Sequence, residues 1–120
     1  HADDKAWLTA LLADLTAVRA LFAGILTGSA TWDAASIADG DMESKDITVT
    51  GAAIGDFVMV SMGVDVTDLV VSAQVTATNT VTATLANNTG GAVDLASTTV
   101  RVVVFPRAAL VAPAALTATV

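Results

Sequence analysis

Residues 69–86 read LVVSAQVTATNTVTATLA, two runs of apolar–polar alternation meeting at Asn79. Leu69, Val71, Ala73, Val75 and Ala77 share one face of the first run, and Val81, Ala83 and Leu85 share one face of the second. Successive side chains of an extended backbone point to opposite sides, so a period of two marks a strand with one buried face. Asparagine accepts the left-handed backbone of a tight turn, and the two runs are predicted to form an antiparallel hairpin around Asn79.

Toward the C-terminus, NNTGG (87–91) reads as a turn, AVDL (92–95) as a short edge strand, and TTVRVVVF (98–105) as a closing strand. Pro106 ends that strand because it has no N–H to give a ladder. Toward the N-terminus, DFVMVSM (56–62) is a strand with large or β-branched residues on both faces, GAAIG (51–55) a turn-rich connector, and DITVT (46–50) the first clear strand. TWDAASIADGDMESKD (31–46) is an irregular lead-in with at most a short strand near Ile37. Short strands separated by Gly, Asn and Asp turns predict a mainly β protein, with a small antiparallel sandwich or jelly-roll-like domain over residues 29–106.

Ahead of this domain the period is helical. Leu8, Leu11, Leu15, Val18, Phe22 and Ile25 recur at alternating spacings of three and four. Leu8, Leu15 and Phe22 fall at heptad position a, and Leu11, Val18 and Ile25 at d, a coiled-coil-like seam of about two and a half heptads. Asp3 and Asp4 place negative charge at the helix start, where the backbone dipole favours it, and the helix is expected to run to about Leu26. An a/d stripe is narrower than the face a helix lays on its own domain, so the expected partner is the same helix of another copy. Trp7, Leu12, Leu21 and Leu26 widen the face at g and e, and Leu at a with β-branched residues at d favours three or more strands. Packing onto the chain's own β-domain is the competing reading. Thr27-Gly28-Ser29 is expected to stop the helix as a flexible joint, leaving residues 1–28 as an oligomerisation helix, predicted to be trimeric.

The segment PRAALVAPAALTATV (106–120) carries one charge and two prolines among many alanines. Prolines oppose a long helix or a central strand, and disordered tails are more polar than this. Residues 107–120 are therefore expected to form an extended apolar arm, with Pro106, Leu110, Val111 and Leu116 binding a partner.

The chain has 120 residues, 54% of them hydrophobic, and a net charge of −7. Mean hydropathy is +0.71, high for a protein this small, and subunit contacts are expected to cover part of that surface. The acidity opposes binding to nucleic acid or to an anionic membrane. Asp14 and Arg19 interrupt the helix, and residues 20–32 are too few to cross a bilayer, so no transmembrane helix is expected. The chain begins at His1 rather than methionine, read as processing or trimming.

Little in the sequence points to catalysis. There is no cysteine, and His1 is the one histidine, which leaves a copper site without a second imidazole and a serine triad without a placed base. Asp39, Asp41, Glu43 and Asp46 offer oxygen ligands but lack the EF-hand spacing, and a solvated acidic loop is the expectation. Asp33 and Asp56 read as turn caps, Gly90-Gly91 as a turn rather than a phosphate nest, and Trp7 and Trp32 as packing residues. No enzymatic activity, cofactor or metal is expected.

The segment from Thr31 to Phe105 resembles a module of small virion proteins of tailed bacteriophages. The resemblance lies in TWDAASIADGD (31–41), ITVTGAAIGDFVMVS (47–61) and NTVTATLANNTGGAVDLASTTVRVVV (79–104). Such modules have a Trp-Asp lead-in, a VTGAAxGDFV strand pair, an NTVT hairpin strand and a GGxVDLAS turn before the last strand. The resemblance implies a trimeric structural protein of the virion: a capsid-decoration or cement protein bound to the major capsid protein on the capsid exterior, or a head-fibre or tail-associated module bound to another virion protein. The helix and the tail after Pro106 lie outside the matching motifs.

Overall fold

The computed structural model describes residues 2–110, with side-chain environments for residues 5–20 and 22–108. Along the described chain lie helix α1 (Ala2–Ala23) and strands β1 (Leu26–Trp32), β2 (Met42–Thr48), β3 (Phe57–Met62), β4 (Val70–Ala77), β5 (Thr80–Ala86) and β6 (Thr98–Phe105). A 3-10 turn, Arg107–Leu110, follows. The strands form two three-stranded antiparallel sheets, ordered β1-β6-β3 and β2-β5-β4.

The alternating hairpin is β4 and β5. Val71 faces Leu85, Ala73 faces Ala83 and Val75 faces Val81, and the register slips between Val75 and Ala77. Asn79 adopts φ of 62°, the left-handed turn conformation expected of it. The slip turns Ala77 out to solvent, so the buried row on β4 stops at Val75.

The core is common to both sheets. Ile47, Val75, Val81, Ala83 and Leu85 of one sheet and Trp32, Val100, Val102 and Val104 of the other belong to one buried cluster. Trp32 is packed as expected. Val58, Val60 and Met62 of β3 lie against the same cluster, half-buried.

Several boundaries differ from the sequence reading. Helix α1 stops at Ala23, and Leu26 already pairs with Val104. Thr27-Gly28-Ser29 is therefore strand and not a flexible joint. The glycine is there for proximity: a Cβ on Gly28 would lie 2.7 Å from Val49 Cγ2 and 2.8 Å from Thr48 O. Small residues that look like a helix breaker allow β1 to lie against the end of β2.

Strand β2 begins at Met42, inside the expected lead-in, and ends at Thr48. Its pattern was hidden because the half-buried positions are Glu43 and Lys45, whose long stems can cover apolar surface while their heads stay wet. AVDL makes no edge strand; Val93 forms a single antiparallel bridge with Ile37, with N–H to O distances of 2.8 and 2.9 Å. β6 lies in the middle of its sheet, paired with β1 on one side and β3 on the other, and its inward row Val100, Val102 and Val104 is buried in the core.

Asn87, read from sequence as part of a turn, is the buried polar residue among the described core positions, with 0% exposure. Its Nδ2 donates to Ile37 O at 2.7 Å and Gly91 O at 2.8 Å. Its Oδ1 accepts from Thr89 N at 2.9 Å and Thr89 Oγ1 at 2.8 Å. One side chain thus ties the lead-in before β2 to the turn after β5.

Candidate interaction surfaces

Two apolar surfaces stand out, one on the helix and one on a sheet. On α1, Leu8, Leu11, Leu15, Val18 and Phe22 are all exposed, Leu15 at 55% and Phe22 at 65%. Trp7 and Leu12, at the flanking positions, are exposed as well, so Trp7 is not a packing residue of this chain's core. The competing reading, a helix laid on its own β-domain, is not what forms: the apolar stripe carries no cover from the strands. Ile25, the sixth residue of the seam, lies past the end of α1 in the turn to β1, where its N–H donates to Phe22 O at 3.2 Å. It is half-buried, so the helical part of the seam has five members.

The second surface is the outer face of the β1-β6-β3 sheet. Because Val100, Val102 and Val104 point inward, Val103 and Phe105 point outward. The register sets Phe57 beside Phe105 and Met59 beside Val103. Phe57 is 56% exposed and Met59 64% exposed, with Ile54 exposed in the preceding loop. Further along the same face Arg101 lies between Ser29 and Ser61, so the apolar area is confined to one end. That end also receives the chain from α1, since Leu26 pairs with Val104, and it sends out the C-terminal segment. The sequence carried the signal, because DFVMVSM and VVVF are apolar on both faces of a sheet that has one core.

Pro106 is half-buried at this end, immediately after Phe105. Leu110 closes the 3-10 turn and its side chain is outside the described environments, while Val111 and Leu116 lie outside the described residues. Asp56 fastens the turn: Oδ1 accepts Arg107 N and Oδ2 accepts Ala53 N, both at 2.9 Å. The two backbone donors, with the Arg107 charge nearby, hold its carboxyl below the usual aspartate range. Asp56 is thus a turn cap, as expected from the sequence.

The acidic residues do not form one loop, since Glu43 and Asp46 lie in β2, and they have separate tasks. Asp39 accepts Gly90 N at 3.0 Å, and Asp46 Oδ1 accepts Thr82 Oγ1 at 2.7 Å. Among the described residues no three His, Asp or Glu side chains gather as metal ligands would. A shallow groove bordered by Ser72, Ala73, Gln74, Thr82 and Thr84 runs over the outer face of the other sheet. Among the described residues, no helix is long and apolar enough to cross a membrane. The chain matches no protein-family model, and neither curated proteins nor solved structures yield a significant match.

Proposed function

We propose that this protein is a structural subunit of a tailed-bacteriophage virion, a homotrimeric decoration or cement protein that binds the head exterior and stabilises it. The observation that carries the reading is the exposed stripe Leu8, Leu11, Leu15, Val18 and Phe22 on a helix that its own domain leaves uncovered. Such a stripe gains free energy by meeting copies of itself, at roughly 25 cal/mol per Å² of apolar surface removed from water. The phage setting rests on the resemblance of residues 31–105.

In this reading α1 is the trimer stalk and the two sheets form a sandwich. The apolar end of the β1-β6-β3 sheet, with Phe57, Met59, Val103 and Phe105, is the docking face for the major capsid protein. The segment from Pro106 onward, with Leu110, Val111 and Leu116, extends that contact as an arm. Each copy adds modest energy, and repetition over a shell makes the sum large enough to resist internal pressure.

Particles stripped of this protein should remain assembled but release their contents at lower temperature than complete ones, and adding the protein back should restore the midpoint. The elongated shape, with a radius of gyration of 20.2 Å, also suits a head-fibre or tail-associated module that recognises a receptor. Stripped particles that keep their heat resistance but fail to attach to cells would replace decoration with that reading.

A further inference from the structure

Helix α1 carries two charges beside its apolar seam. Between residues 6 and 25 the charged side chains are Asp14 and Arg19, both exposed. Neither has an opposite charge three or four residues away on its own helix: Asp14 has Ala10, Leu11, Ala17 and Val18 there, and Arg19 has Leu15, Thr16, Phe22 and Ala23. Five residues apart, the two lie about 140° from each other around the axis and about 7.5 Å along it, on opposite flanks of the seam.

With Leu8 and Leu15 at a, Asp14 is a g residue and Arg19 the e residue of the next heptad. In a parallel, in-register bundle the g residue of one helix meets the e residue five positions on in its neighbour, and these pairs set orientation. Asp14 then meets Arg19 of the neighbouring copy, and Trp7 meets Leu12 of that copy by the same offset. Both pairs match in chemistry, opposite charge with opposite charge and apolar with apolar. Antiparallel packing centred on the seam instead opposes g to g and e to e, which sets Asp14 against Asp14 of the other copy and Arg19 against the apolar Leu12, so neither charge finds an opposite one.

We infer that α1 docks on a second copy of this chain in parallel and in register, with an intermolecular Asp14–Arg19 pair selecting that alignment. The inference rests on the self-association proposed above and adds its direction and register. A parallel alignment places every β-domain, with its apolar sheet end, at the same end of the stalk.

The chain has no cysteine, so a single introduced one reports geometry cleanly. Leu8→Cys should form an interchain disulfide on mild oxidation. An antiparallel bundle centred on the seam would hold the two Leu8 positions about 20 Å apart, far beyond the roughly 7 Å between Cα atoms that a disulfide spans. Asp14→Arg and Arg19→Asp should each raise the concentration of half-dissociation at low salt by about tenfold or more. Mixing the two variants should give hetero-oligomers, and Asp14→Arg/Arg19→Asp in one chain should recover wild-type association. An oligomer that neither cross-links through Leu8→Cys nor responds to the charge reversals overturns the parallel alignment while leaving self-association standing. A wild-type chain that sediments as a monomer at micromolar concentration overturns both.

Discussion

Asn87 is the polar residue on which the described core depends, since four hydrogen bonds converge on its side-chain amide. Replacing it with alanine leaves Ile37 O and Gly91 O without that donor, and Asn87→Ala should cost about 2–4 kcal/mol in denaturant unfolding. Gly28→Ala places a methyl group 2.7 Å from Val49 Cγ2 and 2.8 Å from Thr48 O, so it should destabilise by roughly 1–3 kcal/mol. Asp56 supplies a pH dependence. Its carboxyl is held below the ordinary value of 3.8, so the folded state binds a proton less readily than the unfolded chain. Its contribution is present above about pH 4 and is lost as pH falls through the lowered folded-state value. Stability curves of the wild type and Asp56→Asn should therefore differ at neutral pH and converge on acidification.

At the scale of elements, α1 and the β-domain are predicted to unfold as separable units, because the apolar stripe of the helix is not covered by the strands. Leu15→Asp buries a charge at the centre of the proposed stalk and should dissociate the assembly in analytical ultracentrifugation while the β-sheet circular dichroism signal persists. Removing residues 111–120 spares the Asp56–Arg107 contact that fastens the turn after β6. That truncation should keep the oligomer intact and weaken rebinding to stripped particles, which separates the task of the stalk from that of the arm. Phe57→Ser should weaken rebinding in the same way with little loss of stability, since Phe57 is 56% exposed on the outer face.

The described chain is extended. A globular chain of this length has a radius of gyration of about 14 Å, against the 20.2 Å found here. A helix of 22 residues is about 33 Å long, enough to project well beyond a small β-domain. Folding should be independent of divalent cations: a chelator is expected to leave the thermal midpoint unchanged. A fall of about ten degrees would instead assign a calcium site to the segment from Asp39 to Asp46, because a ligand bound to the native state raises its stability.

The sequence by itself determined the helix, the β4–β5 hairpin, the strands at Phe57–Met62 and Thr98–Phe105, and the turn at Asn79. In each, a local period or a backbone preference carries the information, and neither depends on distant residues. Only the tertiary structure decided that Thr27-Gly28-Ser29 is strand, because the closeness of Val49 and the ladder with β6 come from residues far along the chain. The same holds for Asn87, whose partner Ile37 is fifty positions away, and for Glu43 and Lys45, whose half-buried places in β2 no hydrophobic pattern marks. The apolar sheet end was half legible: valine, methionine and phenylalanine on both faces of two segments signalled a second surface, but which residues stand together on it is set by strand order and register. Periodicity travels with the sequence, whereas adjacency across sheets is created by folding.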